Sequence, residues 1–448
     1  MKQDINQCMF GARMQSKKKN ILWGLAKKKI LGGNSLFSKR PDNFLPKYWP
    51  TYYSKAKGCY VWDLENRKYI DMSLMGVGTN VLGYSNSKID NEVIRNIKKS
   101  NMTTLNCPEE VLLAKKLIDI HPWASKVKFA RSGGEANAIA IRIARAFTKN
   151  SKVAICGYHG WHDWYLSANL NKKNKLNKFL LKGLSNSGIP KELSNTTFTF
   201  QYNDIKKLEY LIRVKKIRII KMEVVRNIPP KNDFLKKVKT LAKKNNCVLI
   251  FDECTTGFRE TFGGIHKKFK VEPDIAIFGK AMGNGYAITA VLGKEKIMKK
   301  SESSFISSTF WSERSGPTAA LATINFMEKN KSWKVVLKQG KKIKNFWKKI
   351  SSKHNLKINI YGTDSIFSFK FHSKKDNFYK SFLTYEMLKH GFLASNSVIV
   401  SISHTDTILK KYKKALDKTF LKISVLKSKN INKLNYLEEA KKGFYRLN

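Results

Sequence analysis

A lysine and an aspartate each follow an apolar segment, and their chemistry is the most informative feature of the sequence. Lys280 follows the uncharged run Ile275–Gly279 and is itself followed by further glycines. A desolvated lysine has a lowered pKa and is a nucleophile for carbonyls, with which it forms a Schiff base. Asp252 follows the apolar run Cys247–Phe251, at the end of a strand, where ligands bind in open α/β sheets. The alternatives are an ordinary surface lysine and an aspartate that caps a following helix.

Ser132, Gly133 and Gly134 lie between a predicted strand, Val127–Ala130, and a predicted amphipathic helix, Gly133–Lys149. A serine and two glycines at a helix N-terminus leave backbone N–H groups exposed at the positive end of the helix dipole, with no Cβ to block a close approach. This arrangement predicts a phosphate cradle. An ordinary strand–helix turn with a serine cap is the alternative.

Tyr158 belongs to a further segment of interest, Gly157–Asp163, which follows the predicted strand Lys152–Cys156. An aromatic ring at a strand end offers a flat face to a planar ligand, although it can equally pack beneath a loop. His159 and His162 are close in sequence, but no further histidine, cysteine or carboxylate cluster completes a metal site, so no metal is predicted. A phosphate cradle, an aspartate for a ring nitrogen, a stacking aromatic and a Schiff-base lysine together specify pyridoxal 5'-phosphate (PLP).

Alternating strands and helices must position these residues. The pattern begins near residue 108, and its apolar runs suit strands that are buried on both faces. We therefore predict an α/β fold with a large mixed, mostly parallel sheet and helices on both of its faces. A smaller α+β domain is expected from the N- and C-terminal parts, with a turn at Glu65-Asn66 between two early strands. The expected divisions are 1–85 for the N-terminal segment, 86–315 for the large domain and 316–448 for the C-terminal domain.

The composition suits a globular protein with a strongly basic charge. The 448 residues are 42% hydrophobic and 12% aromatic, which excludes a disordered chain or a small disulfide scaffold. A formal charge of +53 suggests a polyanion partner, but only 13 of the 86 basic residues are arginines, which leaves 73 lysines spread along the chain. Such a distribution favours a lysine-rich composition over a nucleic-acid interface, and we predict neither a nucleic-acid nor a membrane partner.

Six scattered cysteines without close pairing indicate free thiols in a reducing compartment. The first residues lack the apolar core and small-residue cleavage site of a signal peptide, and no apolar run is long enough to span a bilayer, so we expect neither and place the protein in the cytoplasm.

The sequence resembles the class III, fold type I aminotransferases, and within them the glutamate-1-semialdehyde 2,1-aminomutase-like branch. The similarity extends from about Leu22 to the end of the chain. Its segments include GYHGWHDW from Gly157, DECTTGFR from Asp252, and EPDIAIFGKAMGNG from Glu272, and the combination of Asp252 with Lys280 is the most specific of them.

The resemblance implies a PLP-dependent enzyme in which Lys280 holds the cofactor and moves a proton, while Asp252 pairs with the pyridinium nitrogen. Thr309 matches a threonine that reaches the phosphate of the neighbouring subunit, so a homodimer with shared active sites is expected. The remaining implied cofactor contacts are the phosphate-binding Ser132, Gly133 and Gly134, the ring-stacking Tyr158, Cys254 against the opposite ring face, and Glu223 near the phenolic side.

Three departures from the aminomutase pattern bear on the substrate. Val224 replaces a proline after Glu223, Asn284 lies in a usually all-glycine stretch, and the segment from Thr309 to Arg314 differs. Arg226 is a candidate for binding a substrate carboxylate, with a structural arginine as the alternative.

These departures favour an aminotransferase that moves an amino group between a small-molecule donor and a carbonyl acceptor. Glutamate-1-semialdehyde 2,1-aminomutase, an isomerase, is the alternative. A PLP racemase or decarboxylase and a polyanion-binding protein on an inactive enzyme fold are further alternatives.

Overall fold

The computed structural model describes residues 17–170, 176, 181–431, 433–441 and 445–446. Its strands are β1 Tyr53–Lys57, β2 Tyr60–Asp63, β3 Lys68–Asp71, β4 Lys126–Ala130, β5 Val153–Cys156, β6 Leu181–Lys182, β7 Thr197–Thr199, β8 Ile219–Glu223, β9 Val248–Asp252, β10 Ile275–Phe278, β11 Thr289–Gly293, β12 Ile358–Gly362, β13 Ile366–Phe371, β14 Phe392–Leu393, β15 Ser397–Ile399 and β16 Tyr445–Arg446.

The α-helices of the same residues are α1 Lys17–Lys29, α2 Met75–Gly78, α3 Ser87–Ile97, α4 Pro108–Ile120, α5 Gly133–Thr148, α6 Asp163–Leu166, α7 Ile205–Val214, α8 Phe234–Lys244, α9 His266–Phe269, α10 Glu295–Lys299, α11 Ser315–Asn330, α12 Ser332–Lys353, α13 Asp376–Lys389 and α14 Asp406–Ser428. Within the described ranges, none of the helices combines the length and the apolar character that a bilayer-spanning segment requires.

The described residues divide into two units, and the larger one, Ser87–Lys334 with 445–446, is built on a seven-stranded sheet. The strand order is β4-β11-β10-β9-β8-β5-β7. Strands β7, β5, β8, β9 and β10 run parallel to one another, whereas β11 is antiparallel to both β10 and β4. Every residue of β5, β8, β9 and β10 is buried, as the near-continuous apolar runs predict.

Helix α5 packs against five strands of this sheet, β4, β8, β9, β10 and β11. Its predicted apolar stripe faces inward, since Ala136, Ile139, Ala140 and Ile143 are all buried. The N-terminus of α5 follows β4 after a short turn, which brings the predicted phosphate cradle to an edge of the sheet.

The other unit consists of the residues up to Asn86 and those from Val335 to residue 441. It contains a four-stranded sheet, β1-β2-β3-β14, and a three-stranded antiparallel sheet, β12-β13-β15, together with α13 and α14. The predicted turn at Glu65-Asn66 connects β2 to β3. The expectation of a large mixed sheet and a smaller α+β domain from the two ends of the chain is therefore confirmed.

The division near residue 334 differs from the boundary at 315/316 expected from the sequence. Helix α11 follows that expected boundary but packs against α3 and α4 of the larger unit. It buries Gly316, Ala319, Ala320 and Ile324, which is the physical reason that it belongs with the large sheet.

Candidate active site

The carboxyl ends of four parallel strands supply most of the candidate residues. Glu223 ends β8, Asp252 ends β9, Gly157 follows β5, and Gly279 follows β10. Glu223 and Asp252 are directly paired in the strand register. Because parallel strands end at one edge of a sheet, these residues gather where ligands bind in α/β folds.

Asp252 is buried and held from two sides. Its Oδ2 lies 2.8 Å from His159 Nδ1, and its Oδ1 accepts the backbone N–H of Cys254 at 3.1 Å. Burial alone would raise the pKa of Asp252, but the hydrogen bond from His159 and the charge of Lys221 outweigh it and hold the pKa well below its usual range. The carboxylate is therefore ionised and oriented.

Lys280 begins a 3-10 turn, Lys280–Gly283, immediately after β10. Its φ of 45° lies in the left-handed region, which is costly for a residue with a side chain. Its Nζ donates a hydrogen bond to Thr255 Oγ1 at 2.9 Å. Burial lowers the pKa of Lys280 to about 8, and the charges of Arg226 and Arg259 act in the same direction. The amine is thus more nucleophilic near neutral pH than an exposed lysine.

Cys254 lies between the N-terminus of α5 and the turn that carries Lys280. A Cβ added to Gly133 would be 3.5 Å from its Sγ, and one added to Gly279 would be 3.6 Å away. Burial raises the pKa of Cys254 well above its usual value, and the charge of Asp252 adds to this effect. The residue is a neutral thiol that packs in the middle of the group.

The N-terminus of α5 is closed by a capping box. Ser132 Oγ accepts the Glu135 N–H at 3.4 Å, while Glu135 Oε2 accepts the Ser132 N–H at 2.7 Å. The amides of Gly133 and Gly134, at the first two helical positions, have no carbonyl one turn earlier to bond. Ser132 itself is exposed. The phosphate cradle expected from the sequence therefore consists of the Gly133 and Gly134 amides and the Ser132 hydroxyl.

Gly134 permits the loop after β5 to approach this helix end. A Cβ at Gly134 would be 2.6 Å from His162 Cε1 and 2.9 Å from His162 Nδ1, too close for any other residue without a shift. The loop that carries Tyr158 is therefore fixed against the predicted phosphate cradle.

Tyr158 is positioned through its backbone. Its N–H donates to Glu223 Oε2 at 3.0 Å, so Glu223 holds the turn at the end of β5. Gly157 has a φ of 119°, and a Cβ there would be 2.6 Å from Glu223 Oε2. The Tyr158 ring meets the ring of Tyr165 edge to face, with centroids 6.1 Å apart.

Arg226 also belongs to this group, because its charge lowers the pKa of both Lys280 and Arg259. Arg259 is fully buried, and its Nε donates to the carbonyl of Thr255 at 2.7 Å. Burial lowers the pKa of Arg259 to about 9. Arg259 and Lys280 thus both donate hydrogen bonds to Thr255, and the charge of Arg226 acts on each of them, which makes this end of the site strongly positive.

Thr309 is the candidate that the structure does not bring to the others. It is exposed at the start of the 3-10 turn Thr309–Ser312, and among the described residues no hydrogen bond or ion pair joins it to the other candidates. The turn is nevertheless anchored beside α5, because Trp311 Nε1 donates to Glu135 Oε1 at 3.1 Å.

Lys221, Thr255 and Arg259 were not singled out by the sequence reasoning. Lys221 is a fully buried lysine in β8, two residues before Glu223. A lysine between apolar residues in the middle of a strand was the signal that could have found it. Over the part of the chain that the structure describes, no group of three histidine, cysteine or carboxylate side chains is arranged to hold a metal ion.

Residues 46–415 match the family described as class-III aminotransferases, a match that covers most of the chain. The chain belongs to the class-III aminotransferase family. One relative, the 3-aminobutyryl-CoA aminotransferase of Cloacimonas acidaminovorans (strain Evry), is 33% identical over 368 residues, which are 80% of this chain and 84% of that protein. The glutamate-1-semialdehyde 2,1-aminomutase of Sulfurisphaera tokodaii is 33% identical over 358 residues, 78% of this chain and 83% of that protein.

Solved structures share the fold of this chain. The PLP internal aldimine form of the Sphingopyxis sp. MTA144 FumI protein superposes with a TM-score of 0.83, at 21% identity and over 93% of this chain and 99% of that one. A transaminase with PLP bound gives a TM-score of 0.79 at 20% identity over 92% of this chain and 99% of that one. These neighbours establish the fold type I architecture expected from the sequence.

Family membership identifies the chain as an enzyme and indicates PLP as its cofactor. The residues present fit this group. An amine of lowered pKa suits the aldehyde, an ionised carboxylate suits a protonated ring nitrogen, and the first-turn amides of α5 suit a phosphate.

Proposed function

We propose that this chain is a PLP-dependent aminotransferase that moves an amino group from an amino donor to a separate carbonyl acceptor, with Lys280 as the catalytic amine. The observation that carries the proposal is the arrangement of Lys280 and Asp252 at one sheet edge. The amine is held by Thr255 at 2.9 Å, and the carboxylate is ionised beside His159. Buried titratable groups with perturbed pKa values cluster at functional sites, which favours a cofactor site here.

When bound, PLP supplies an aldehyde that holds an amine covalently and a ring that accepts the electrons released at the substrate α-carbon. Lys280 is the amine that would hold this aldehyde in the absence of substrate. Its free Nζ, with Thr255 as its resting partner, would take the proton from the substrate α-carbon as a base and deliver it as an acid to C4′, the former aldehyde carbon.

The other candidates bind and orient. Asp252 binds the ring nitrogen, Tyr158 and Cys254 contact the two ring faces, and Ser132, Gly133 and Gly134 bind the phosphate. Glu223 fixes the backbone of Tyr158 beside the phenolic side of the cofactor. Arg226 binds a substrate carboxylate, which the positive potential shared with Arg259 attracts.

One observation favours an aminotransferase over the aminomutase alternative. The names of the relatives that span most of the chain do not decide between the two reactions, because one is an aminotransferase and several are aminomutases. The sequence after Lys280, however, departs from the aminomutase pattern. Its Tyr286 donates a hydrogen bond to Asp90 Oδ1 at 2.9 Å, which fixes this loop on α3.

Cofactor attachment tests the assignment of Lys280. Purified protein is incubated with PLP, reduced with borohydride, digested and mapped by mass spectrometry. The cofactor is expected on Lys280 alone, and Lys280→Ala should abolish the attachment, while the exposed Lys296→Ala should leave it unchanged. Attachment to another lysine, or none in the parent protein, would overturn the proposal.

Product analysis separates the possible reactions. The loaded enzyme is offered amino acids, amino sugars and glutamate 1-semialdehyde, each with and without a keto-acid acceptor. An aminotransferase releases a carbonyl product and needs the acceptor for turnover. Net isomerisation of glutamate 1-semialdehyde without a second substrate would instead assign the aminomutase reaction, and racemised or decarboxylated products would assign those reactions.

The active unit that we propose is a homodimer in which Thr309 reaches the cofactor phosphate of the second copy. Exposed apolar side chains near Thr309 support this proposal: Phe310 is 68% exposed and Phe305 is 84% exposed. Trp161, which lies close to Gly134 at the N-terminus of α5, is 69% exposed. Large exposed apolar side chains are a feature of protein interfaces. Light scattering coupled to gel filtration should give twice the mass of the 51.5 kDa chain.

The cytoplasm is the compartment that we propose. Its support is that Cys59, Cys107, Cys156, Cys247 and Cys254 carry free thiols. Fractionation of cells that produce the protein tests this assignment.

A further inference from the structure

Lys221 is a charged side chain in the centre of the large sheet. It is fully buried, in a strand whose every residue is buried. A buried ammonium is costly unless it is paired, so its presence in β8 requires a reason beyond packing.

The strand register places Lys221 diagonally next to Asp252. Within β8, Lys221 and Glu223 project from the same face, because side chains alternate along a strand. Strands β8 and β9 are parallel, with Lys221 opposite Ile250 and Glu223 opposite Asp252. Lys221 therefore lies on the same face of the sheet as Asp252 and on the neighbouring strand, two residues further from the carboxyl edge.

Two polar atoms around Asp252 lack hydrogen-bond partners among the described residues. One is Lys221 Nζ, and the other is His159 Nε2 on the far side of the imidazole from Asp252. By contrast, the less deeply buried Lys239 and Lys294 of the same unit each reach Asp274 directly, at 3.2 and 2.8 Å. Lys221 has no such contact, so its charge is balanced through space.

The titratable groups that act on Lys221 are Asp252, Cys254 and His159. Burial lowers the pKa of Lys221 to about 8, while the negative charge of Asp252 acts to keep it protonated. The interaction is mutual, because Lys221 lowers the pKa of Asp252 and of His159 as well. Since Cys254 is a neutral thiol, Asp252 is the anion available to balance the ammonium.

We propose that Lys221 is a positioning residue that acts as the internal counter-ion of Asp252 and moderates how strongly this carboxylate binds the ring nitrogen of the cofactor. The proposal rests on the proposed function, since it concerns the same site. A carboxylate that already faces an ammonium attracts a protonated ring nitrogen less than an unbalanced one does, because the two cations repel each other.

The test compares the affinity for PLP with that for 1-deaza-PLP, in which the ring nitrogen is replaced by a C–H group. Both ligands share the aldehyde and the phosphate, so the ratio of their dissociation constants isolates the contact with Asp252. At about pH 7, where Lys221 is protonated, Lys221→Met should raise the preference for PLP over the analogue by about tenfold. Ile219→Met, a buried substitution on the same face of β8, should leave the ratio unchanged.

A structural role for Lys221 predicts a different result. Loss of packing would weaken the binding of both ligands alike, so the ratio of their dissociation constants would stay within about twofold of that of the parent protein. This result would overturn the proposal. Lys221→Gln, which removes the charge but keeps a polar group, should change the ratio in the same direction as Lys221→Met. In an Asp252→Asn background, Lys221→Met should have little effect on the ratio, because the ring nitrogen is no longer held protonated and there is no second cation for Lys221 to repel.

A measurement on the parent protein covers the case in which neither variant folds. The ratio should rise between about pH 7 and pH 9.5, as Lys221 loses its charge, and a constant ratio would contradict the proposal. Deprotonation of Lys280 changes the affinity for both ligands equally and therefore cancels from the ratio. If the parent protein binds neither ligand, the proposed function fails together with this inference, whereas binding with a ratio insensitive to Lys221 overturns the inference alone.

Discussion

His159 and Asp252 form a buried hydrogen-bonded pair in which the imidazole Nδ1 lies 2.8 Å from the carboxylate Oδ2. Because an ionised carboxylate can only accept, the histidine carries its proton on Nδ1. Burial lowers the pKa of His159, so the ring is neutral and the pair keeps the single negative charge of Asp252. That charge is presented at the carboxyl edge of the sheet, where a protonated ring nitrogen would meet it.

Replacement of Asp252 should slow catalysis more than it weakens substrate binding. Asp252→Asn keeps the shape but removes the charge that holds a ring-nitrogen proton, so kcat should fall by about 100-fold, or roughly 2.7 kcal/mol in activation free energy, with a smaller change in KM. Steady-state kinetics on the best donor measures both. Asp274→Asn, which loses ion pairs with Lys239 and Lys294, should lower Tm but leave kcat near the parent value. Equal losses of kcat in the two variants would contradict the role given to Asp252.

The rate at which the apoprotein captures PLP should depend on the protonation of Lys280. Only the neutral amine attacks an aldehyde, and the pKa of Lys280 is lowered to about 8. The second-order rate constant should therefore rise with pH up to about 8 and level off above it, rather than rising to about 10.4 as for an unperturbed lysine. Stopped-flow absorbance across this range gives the profile. Removal of a neighbouring cation by Arg226→Gln should move its midpoint to higher pH.

Gly157 should not tolerate a side chain. Its φ of 119° is unfavourable for other residues, and a Cβ would be 2.6 Å from Glu223 Oε2. Gly157→Ala should therefore destabilise the protein by about 1–3 kcal/mol and displace Tyr158. Thermal unfolding and PLP affinity should both decline. Gly24→Ala is a suitable control, because its Cβ would meet nothing within 4 Å and Gly24 lies in α1. An unchanged Tm for Gly157→Ala would contradict this prediction, because the turn would then accommodate the added Cβ without loss of stability.

A charge at Phe310 should disrupt the proposed homodimer. Phe310 is 68% exposed, and a buried carboxylate in its place would oppose association. Phe310→Asp should therefore shift the protein towards the monomer in light scattering and weaken PLP binding, because Thr309 would no longer reach a second copy. Val214→Asp, at a 57% exposed position at the end of α7, should change neither property. A Phe310→Asp variant that remains dimeric would show that the dimer interface lies elsewhere on the protein.

Apolar patterning predicted the strands around the site well. Runs such as Val248–Phe251 are buried on both faces, and their ends carry the candidate residues. The capping role of Ser132 was predicted as an alternative to phosphate binding, and the capping box leaves the adjacent amides available for that binding. Local sequence is informative here because each of these features depends on one element and the turn that follows it.

The contacts between distant segments could not be predicted in the same way. Nothing local to Glu223 indicates that its carboxylate would accept the amide of Tyr158, since the two are joined only when β5 pairs with β8. Lys221 was overlooked because lysines are so abundant in this chain that one more carries little information. Its burial depends on the neighbouring strands and on α5, which the sequence of β8 does not encode.

Strand β11, the single antiparallel member of the large sheet, makes Lys280 part of a local hairpin. Strands β10 and β11 pair from Ile275 opposite Gly293 to Phe278 opposite Ala290, and the loop between them is short. The crossover that connects β9 to β10 after Asp252 is longer. Short loops close at a lower entropic cost, and local contacts form sooner. We therefore expect the hairpin to form first during folding and β9 to dock later. In pulse-labelled refolding, amide protons of β10 and β11 should gain protection before those of β9, so that Asp252 joins Lys280 late in folding.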